Sequence, residues 1–417
     1  MQVTDLTELE IQKLRTETKG TNEIIHFNNA GSSLPPDVVV DSAVAYLQEE
    51  AVKGGYEMEA IYQSDLNNTY KVIAQLINAE PDEIAIVENA STAWWIAFNG
   101  IDFKKDDEII ASEFEYVTNY IGLLTAQKRY GVVIKVIYND ERGNYPIDKL
   151  EKAITARTKL ILATHIPSTA AGILPVAEIG KVARKNDILY LVDACQSVGH
   201  IPVDVKEIDC DMLAVTGRKY LRAPRGTGFL FVRKNMQNQL NTTLMDGFTA
   251  RDVNIQEYKL RDDARRFEVY EKSRALTIGL GKAVEYALAI GIDRISQRII
   301  FLADLMRNQL RRLDDLTVHD VGERLCGIVT FSVNNLECIV VKNNLAIRNI
   351  NISVGQAKST IYYMEKNKLT TILRASVHYY NTEEEINLFV EALKQILLER
   401  MPEKIAPPEF TNTLTQI

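Results

Sequence analysis

Apolar residues along the chain fall into short runs rich in β-branched side chains, separated by longer stretches in which they recur at helical spacing. Seven runs predict strands, at 84–87, 109–112, 132–137, 160–164, 188–192, 212–215 and 228–232. Helices are predicted over 37–52, 59–78, 117–130 and 176–186. Near-continuous apolar strands that alternate with helices are typical of a mostly parallel sheet covered on both faces. We therefore predict an α/β fold with a mostly parallel seven-stranded sheet sandwiched by helices.

The pattern changes from about residue 273 onward. Two long amphipathic helices, two weaker strands and a last helix are predicted there, at 275–290, 293–313, 326–333, 371–377 and 382–399. This part is expected to form a smaller α+β domain. The predicted organisation is an N-terminal arm over 1–24, a large domain over 25–272 and a small C-terminal domain over 273–417.

Composition narrows the class of protein. The 417 residues are 46% hydrophobic and 25% charged, as expected of a globular protein, and the net charge of −8 argues against a nucleic-acid partner. No run of about 18 apolar residues occurs, so no membrane partner is expected. The 4 cysteines are widely spaced, without a CxxC pair, which is typical of a reducing compartment. We predict a cytoplasmic protein without a metal site.

Two polar residues follow neighbouring predicted strands. Asp193 comes directly after the run 188–192, and Lys219 follows the run 212–215 in a glycine-rich turn. Parallel strands would bring both to one edge of the sheet, where ligands bind in such folds. A buried carboxylate needs a cationic partner, and a protonated pyridine nitrogen is one, while a desolvated lysine forms an imine with an aldehyde. The pair therefore indicates a pyridoxal phosphate site, although Asp193 could instead cap a helix and Lys219 could be a surface residue.

Five segments of the sequence resemble those of a known family. They are HFNNAGSSLPP from residue 26, ENASTAW from 88, VDACQSVGHIPVDV from 192, TGRKYLRAPRGTGFLFV from 216 and LRASVHYYNTEEEI from 373. The chain resembles the class V aminotransferase-fold pyridoxal-phosphate enzymes, which include cysteine desulfurases, selenocysteine lyases, isopenicillin-N-epimerase-like proteins and sulfoxide C–S lyases. The resemblance implies a fold-type I homodimer that binds pyridoxal 5′-phosphate and a small amino-acid substrate. It also implies that Lys219 is the Schiff-base lysine, Asp193 the pyridinium partner and Gln196 the contact to the ring oxygen.

The resemblance extends to the phosphate and the cofactor ring. Ser91 and Thr92 precede a predicted helix, whose N-terminus suits an anion, although Ser91 could be a plain N-cap. Thr216 and Arg218 occupy positions that contact phosphate in the family. Tyr116 matches the residue that stacks on the ring, and its phenol could also donate a proton; alternatively it is a core aromatic.

Substrate contacts are assigned in the same way. Arg374 matches the arginine that forms a bidentate pair with the substrate carboxylate, and Ser32 and Ser168 are assigned as further contacts. His165 ends the strand 160–164, where it could act as an acid or base or be structural. Glu271 stands where the family has a threonine that reaches the partner subunit's phosphate, so that contact is in doubt.

One departure from the family concerns sulfur. A desulfurase needs a mobile cysteine in the loop before the arginine segment, and the stretch NISVGQAKSTIYYME at 351–365 contains none. We therefore predict an enzyme that removes the α-proton of an L-amino acid and acts as a C–S lyase by β-elimination on a cysteine derivative. The alternatives are an aminotransferase or an epimerase, and, less favoured, a cysteine desulfurase or a catalytically silent protein with this fold.

Overall fold

The structure of the protein is a computed structural model, and it describes residues 5–399. Its strands in this range are β1 (Ile25–His26), β2 (Ile84–Val87), β3 (Glu108–Ser112), β4 (Val133–Ile137), β5 (Thr158–Thr164), β6 (Leu189–Asp193), β7 (Met212–Thr216), β8 (Gly228–Val232), β9 (Ala250–Val253), β10 (Tyr258–Leu260), β11 (Leu316–Val318), β12 (Ile328–Val333), β13 (Ile350–Asn351), β14 (Ser353–Gln356) and β15 (Thr371–Ser376).

The α-helices in the same range follow the predicted stretches and add several short ones. They are α1 (Glu8–Thr16), α2 (Asp37–Lys53), α3 (Gly55–Ile61), α4 (Gln63–Ile77), α5 (Ala90–Asn99), α6 (Val117–Tyr130), α7 (Ile147–Ala153), α8 (Val176–Lys185), α9 (Val205–Ile208), α10 (Arg274–Ile290), α11 (Ile292–Leu310), α12 (Cys338–Ile347), α13 (Ile361–Lys366) and α14 (Glu383–Glu399). The helix predicted over 59–78 is divided, because α3 ends and α4 begins on either side of Tyr62.

The large sheet has the strand order β2-β8-β7-β6-β5-β3-β4. Strand β8 runs antiparallel to both of its neighbours, and the other pairs are parallel. Every residue of β3, β7 and β8 is buried, since helices cover both faces. The predicted mostly parallel seven-stranded α/β sheet is confirmed.

A second sheet lies in the C-terminal part of the chain. Its order is β11-β12-β15-β14 and all of its pairs are antiparallel. The sequence predicted β12 and β15 but missed β11 and β14, which are edge strands of only 3 and 4 residues. One apolar cluster contains side chains of both sheets and of α10 and α11.

The predicted domain boundaries and the structure of the chain termini are not tested. The domain boundaries at 24/25 and 272/273 remain predictions, and residues 1–4 and 400–417 of the predicted arm and small domain lie outside the described residues. No single helix between residues 5 and 399 has the length and apolar character to cross a membrane; α10 and α11, bent by 80° where they meet, reach that standard only as a pair.

Candidate active site

A cavity of about 450 Å³ opens at the carboxyl ends of β5, β6 and β7, where each strand delivers its last residue. This is the edge at which open α/β sheets bind ligands. Nine of the residues predicted for the site line the cavity: Ser91, Tyr116, Ser168, Asp193, Gln196, Thr216, Arg218, Lys219 and Arg374. The strands and the loops that follow them therefore bring together residues far apart in the sequence.

The Asp193 carboxylate is fixed at the end of β6. In the sheet, Asp193 pairs with Thr164 on one side and with Ala214 on the other. Its Oδ1 accepts a hydrogen bond from the Cys195 backbone N–H over 3.0 Å, and its Oδ2 accepts one from Asn119 Nδ2 over 3.2 Å. The side chain is buried but reaches the cavity. This carboxylate is thus held in one orientation before any ligand arrives.

Lys219 lies in a tight turn after β7. Gly217 is necessary to that turn, because a Cβ atom there would lie 2.2 Å from Thr227 Oγ1. Burial lowers the pKa of the Lys219 amine, and the neighbouring Arg218 and Arg374 guanidinium groups lower it further. Cys195 and Asp193 oppose this shift in the pKa. The amine belongs to a residue that lines the cavity.

Arg374 is held by the C-terminal sheet and by the loop that follows β5. From its position on β15 it donates a hydrogen bond from Nε to Ser353 Oγ over 2.9 Å and one from Nη1 to the Ser168 carbonyl over 2.7 Å. Burial lowers its pKa, and the nearby Tyr220 and Tyr116 side chains oppose that shift. Tyr116 precedes α6 as its N-cap residue and is 37% exposed at the cavity.

The N-terminus of α5 forms another wall of the cavity. Its N-cap is Asn89, whose Oδ1 accepts from the Thr92 backbone N–H over 2.9 Å, so the alternative of an N-cap at Ser91 is wrong. Ser91 lines the cavity, where its hydroxyl contacts Thr118 Oγ1 at 3.2 Å. Thr92 does not line it, and its side chain instead donates to Asn89.

Two further predicted residues lie elsewhere. The His165 side chain lines a separate cavity with Ile173 and Leu325, because Thr164 and Ile166 face the first cavity and side chains alternate along an extended chain. Burial lowers the pKa of His165 to about 3. The structure does not bring this residue to the first cavity, which favours the structural alternative over a role as acid or base. Ser32 does not line the cavity; its carbonyl accepts a hydrogen bond from His26 Nε2 over 2.8 Å.

Three buried polar atoms around the cavity lack partners among the described residues. They are Ser168 Oγ, Gln196 Oε1 and Arg218 Nη1. Leaving such groups unsatisfied costs about 1–3 kcal/mol each, so they indicate a polar ligand. Arg218 suits a phosphate, Gln196 suits a ring oxygen, and Asp193 suits a pyridinium nitrogen. The residues present therefore fit pyridoxal phosphate.

Residues 25–389 match the profile of the family described as aminotransferase class-V. The chain belongs to the class V aminotransferase family. It is 31% identical over 378 residues to a probable cysteine desulfurase of Methanothermobacter thermautotrophicus, covering 89% of this chain and 94% of that one. A probable cysteine desulfurase of Pyrococcus abyssi is 30% identical over 395 residues, covering 93% of this chain and 97% of the relative.

A solved structure shows the same fold. The apo cysteine desulfurase of Thermococcus onnurineus NA1 superposes with a TM-score of 0.88 at 27% identity, covering 94% of this chain and 98% of that one. The predicted family, the fold-type I architecture and the enzyme class are confirmed. Class V aminotransferases use pyridoxal 5′-phosphate, which is the cofactor of this enzyme.

The sequence analysis missed Asn119, which lines the cavity, and Glu115, which contacts it. Asn119 donates to Asp193, and Glu115 accepts from Asn119 over 2.8 Å. Both are buried. The available signal was the segment SEFEYVTNY, which places an acid and an amide four residues apart at the start of a predicted helix.

Proposed function

We propose that this class V aminotransferase is a C–S lyase that acts by β-elimination on an L-cysteine derivative. The observation that carries the proposal is the cysteine-free segment 351–365, from which Val354, Gly355 and Ser359 line the cavity. A desulfurase would present its sulfur-accepting thiol from this segment. Of the described cysteines only Cys195 lines the cavity, and burial raises the pKa of its thiol to about 12, which leaves it a poor nucleophile.

The substrate carboxylate would bind Arg374. Its Nε and Nη1 atoms are engaged by Ser353 and Ser168, which fix the guanidinium plane, and Nη2 is left for a ligand. Because Arg374 lines the same cavity as Lys219, a bound α-amino acid would present its α-carbon near the Lys219 amine. The cavity thus supports binding of a compact amino acid in a defined orientation.

When bound, the cofactor supplies an electron sink for the negative charge that develops at the substrate α-carbon. Lys219 takes the α-proton onto Nζ; its lowered pKa keeps a fraction of the amine unprotonated and able to do so. Tyr116 gives its phenolic proton to the sulfur as the Cβ–S bond breaks, so the sulfur leaves as a neutral thiol. The remaining three-carbon fragment takes up one water, and the other products are pyruvate and ammonia.

We also propose how the remaining polar residues hold the cofactor. Ser91, Thr216 and Arg218 would bind the phosphate, and Gln196 would donate to the ring oxygen with the second hydrogen of Nε2, whose first goes to the Ala30 carbonyl. Tyr116 would stack on the ring. Thr92 supports this arrangement only through its backbone, since its N–H completes the Asn89 cap of α5.

A homodimer is proposed on the basis of an apolar surface. Helix α2 exposes Val40, Val44 and Leu47 at spacings of four and three residues, with exposed fractions of 43%, 44% and 50%. Exposed apolar stripes of this kind often mark protein–protein contacts.

A cytoplasmic location is likewise proposed, supported by four cysteines that form no disulfide.

The reaction can be tested with a panel of substrates. L-cystine, S-alkyl cysteines, cysteine sulfoxides and L-cysteine would each be added to the purified holoenzyme, with pyruvate, alanine, keto-acid and D-amino-acid production measured separately. We expect pyruvate from at least one cysteine conjugate and none from Lys219→Ala. Alanine from L-cysteine would indicate a desulfurase. A keto acid that keeps the substrate's sulfur would indicate transamination, and a D-amino acid would indicate epimerisation. Any of these products without pyruvate would overturn the proposal.

A further inference from the structure

Glu115 is a buried carboxylate with a full set of donors. It lies in the turn between β3 and α6 and is 1% exposed. Its Oε1 accepts from Ser112 Oγ over 2.7 Å and from the Thr164 backbone N–H over 3.1 Å. Its Oε2 accepts from Thr164 Oγ1 over 3.0 Å and from Asn119 Nδ2 over 2.8 Å. Burial and the neighbouring Asp193 charge raise the pKa of Glu115, and the hydrogen bonds from Asn119, Ser112 and Thr164 oppose that shift because they stabilise the carboxylate.

Asn119 joins this carboxylate to Asp193. Its Nδ2 atom donates one hydrogen bond to Glu115 Oε2 and another, over 3.2 Å, to Asp193 Oδ2. An amide nitrogen has two hydrogens, and both are used. The amide oxygen cannot face these positions, because it would meet a carboxylate oxygen on each side. The two acids therefore fix the direction in which the Asn119 amide points.

From this arrangement we infer that Glu115 is a positioning residue for the cofactor: it holds the Asn119 amide in the orientation that aims Asp193 at the ring nitrogen. The inference rests on the proposed placement of the ring nitrogen against Asp193. It adds a residue just outside the cavity wall to the pair formed by Asp193 and Lys219. Glu115 does not line the cavity, so it acts through Asn119 and not on the substrate.

Replacing Glu115 by glutamine would disrupt the link. Glutamine keeps the shape of the side chain but turns one of the two accepting oxygens into an NH2 donor. If its oxygen keeps the Thr164 N–H, its NH2 group meets the Asn119 NH2 group. Asn119 then either moves away or flips, and a flipped amide turns its oxygen towards the Asp193 carboxylate. In both cases Asp193 loses a donor and is less well aimed at the ring nitrogen.

The chain offers a matched control two residues earlier. Glu113 is also 1% exposed and lies in the same turn. Its carboxylate accepts from the Asn139 backbone N–H over 3.1 Å and forms an ion pair with Lys366 at 3.2 Å. It makes no contact with Asn119 or Asp193. Glu113→Gln thus removes a buried carboxylate from the same segment without touching the link to Asp193.

The experiment measures cofactor affinity with two cofactors. The full-length protein, freed of cofactor, is titrated with pyridoxal phosphate and with 1-deazapyridoxal phosphate, in which carbon replaces the ring nitrogen. In the native protein we expect tighter binding of pyridoxal phosphate. In Glu115→Gln we expect its Kd to rise about ten- to hundredfold, the usual effect of losing a hydrogen bond to a charged group, while the Kd of the deaza analogue stays unchanged. Glu113→Gln should leave the preference between the two cofactors as in the native protein.

A double-mutant cycle with Asn119→Ala tests the route of the effect. Since Glu115 acts through Asn119, adding Glu115→Gln to Asn119→Ala should cause no further loss of affinity for pyridoxal phosphate. If Glu115→Gln fails to fold, Asn119→Ala is measured in its place. We expect it, too, to raise the Kd of pyridoxal phosphate and to leave the Kd of the deaza analogue unchanged. An equal loss of affinity for both cofactors, no loss at all, or additive losses in the cycle would overturn the inference. A native protein that binds both cofactors equally would overturn the placement of the ring nitrogen and the inference with it.

Discussion

The Arg374 guanidinium donates a hydrogen bond from Nη1 to the backbone carbonyl of Ser168 over 2.7 Å. Arg374 belongs to β15 of the C-terminal sheet, and Ser168 follows β5 of the large sheet. This bond and the one to Ser353 fix the plane of the guanidinium at the cavity wall. The residue proposed to bind the substrate carboxylate is therefore oriented by its own sheet and by the loop after β5 before substrate binds.

We predict that Arg374→Lys weakens substrate binding although it keeps the positive charge. Lysine keeps the positive charge but has neither the planar fork nor the donors that reach both Ser168 and the substrate. The expected result is a rise in KM for the amino acid of about ten- to hundredfold, with a smaller change in kcat. Steady-state pyruvate assays would measure both. An unchanged KM would mean that the carboxylate binds elsewhere.

Tyr116→Phe tests the proposed proton donor. Phenylalanine retains the aromatic ring, so cofactor affinity should stay close to the native value. We expect kcat for S-alkyl cysteines to fall about a hundredfold, because an alkyl thiolate leaves poorly without a proton. S-aryl cysteines with electron-withdrawing groups, whose thiolates leave readily, should lose much less. Equal losses for all leaving groups would show that Tyr116 does not protonate the sulfur.

The sequence predicted those site residues that stand next to a recognisable strand, and it missed one that reaches the site through a contact distant in the sequence. Asp193 and Lys219 each follow an apolar strand directly, and the structure places both at one cavity as predicted. Asn119 was missed because it contacts Asp193 across 74 residues of sequence. No pattern at the sequence level records which side chain faces another across such a distance.

His165 shows a second limit of prediction from sequence. Its position at the end of a strand was predicted correctly, but the face of the chain on which it lies was not. A shift of one residue moves a side chain to the opposite face of a strand, so an apolar run alone does not decide it. The edge strands β11 and β14 were missed for another reason, since 3 and 4 residues carry too little periodicity to be recognised.

His165→Leu should therefore retain turnover and reduce the sensitivity of the protein to acid. The pKa of His165 is lowered from 6.5 to about 3 in the folded protein. Between these pH values the unfolded chain binds an extra proton here, so stability falls as the pH is lowered, by up to about 1.4 kcal/mol per pH unit. Leucine removes this contribution. Urea unfolding at pH 7.5 and pH 5 should show a smaller loss of unfolding free energy in the variant, and the same loss in both proteins, or a variant without turnover, would contradict the assignment.

The ion pair between Arg307 and Asp320 should be among the most sensitive points for stability. Both side chains are at most 1% exposed; Arg307 Nε donates to Asp320 Oδ2 over 2.7 Å, and Asp320 Oδ1 also accepts from the Thr330 backbone N–H over 2.9 Å. Asp320→Ala removes the buried partner of the guanidinium and leaves it paired with the exposed Asp304, and we expect it to lower the free energy of unfolding by about 3–5 kcal/mol.

Asp304 provides the matched control, since it pairs with the same arginine at 2.9 Å but is 55% exposed. Water replaces this partner readily, so Asp304→Ala should cost less than about 1 kcal/mol. Chemical denaturation of the holoenzyme and of both variants at one cofactor concentration would measure the two costs. Equal costs for the two substitutions would mean that burial of the Asp320 pair does not govern its contribution.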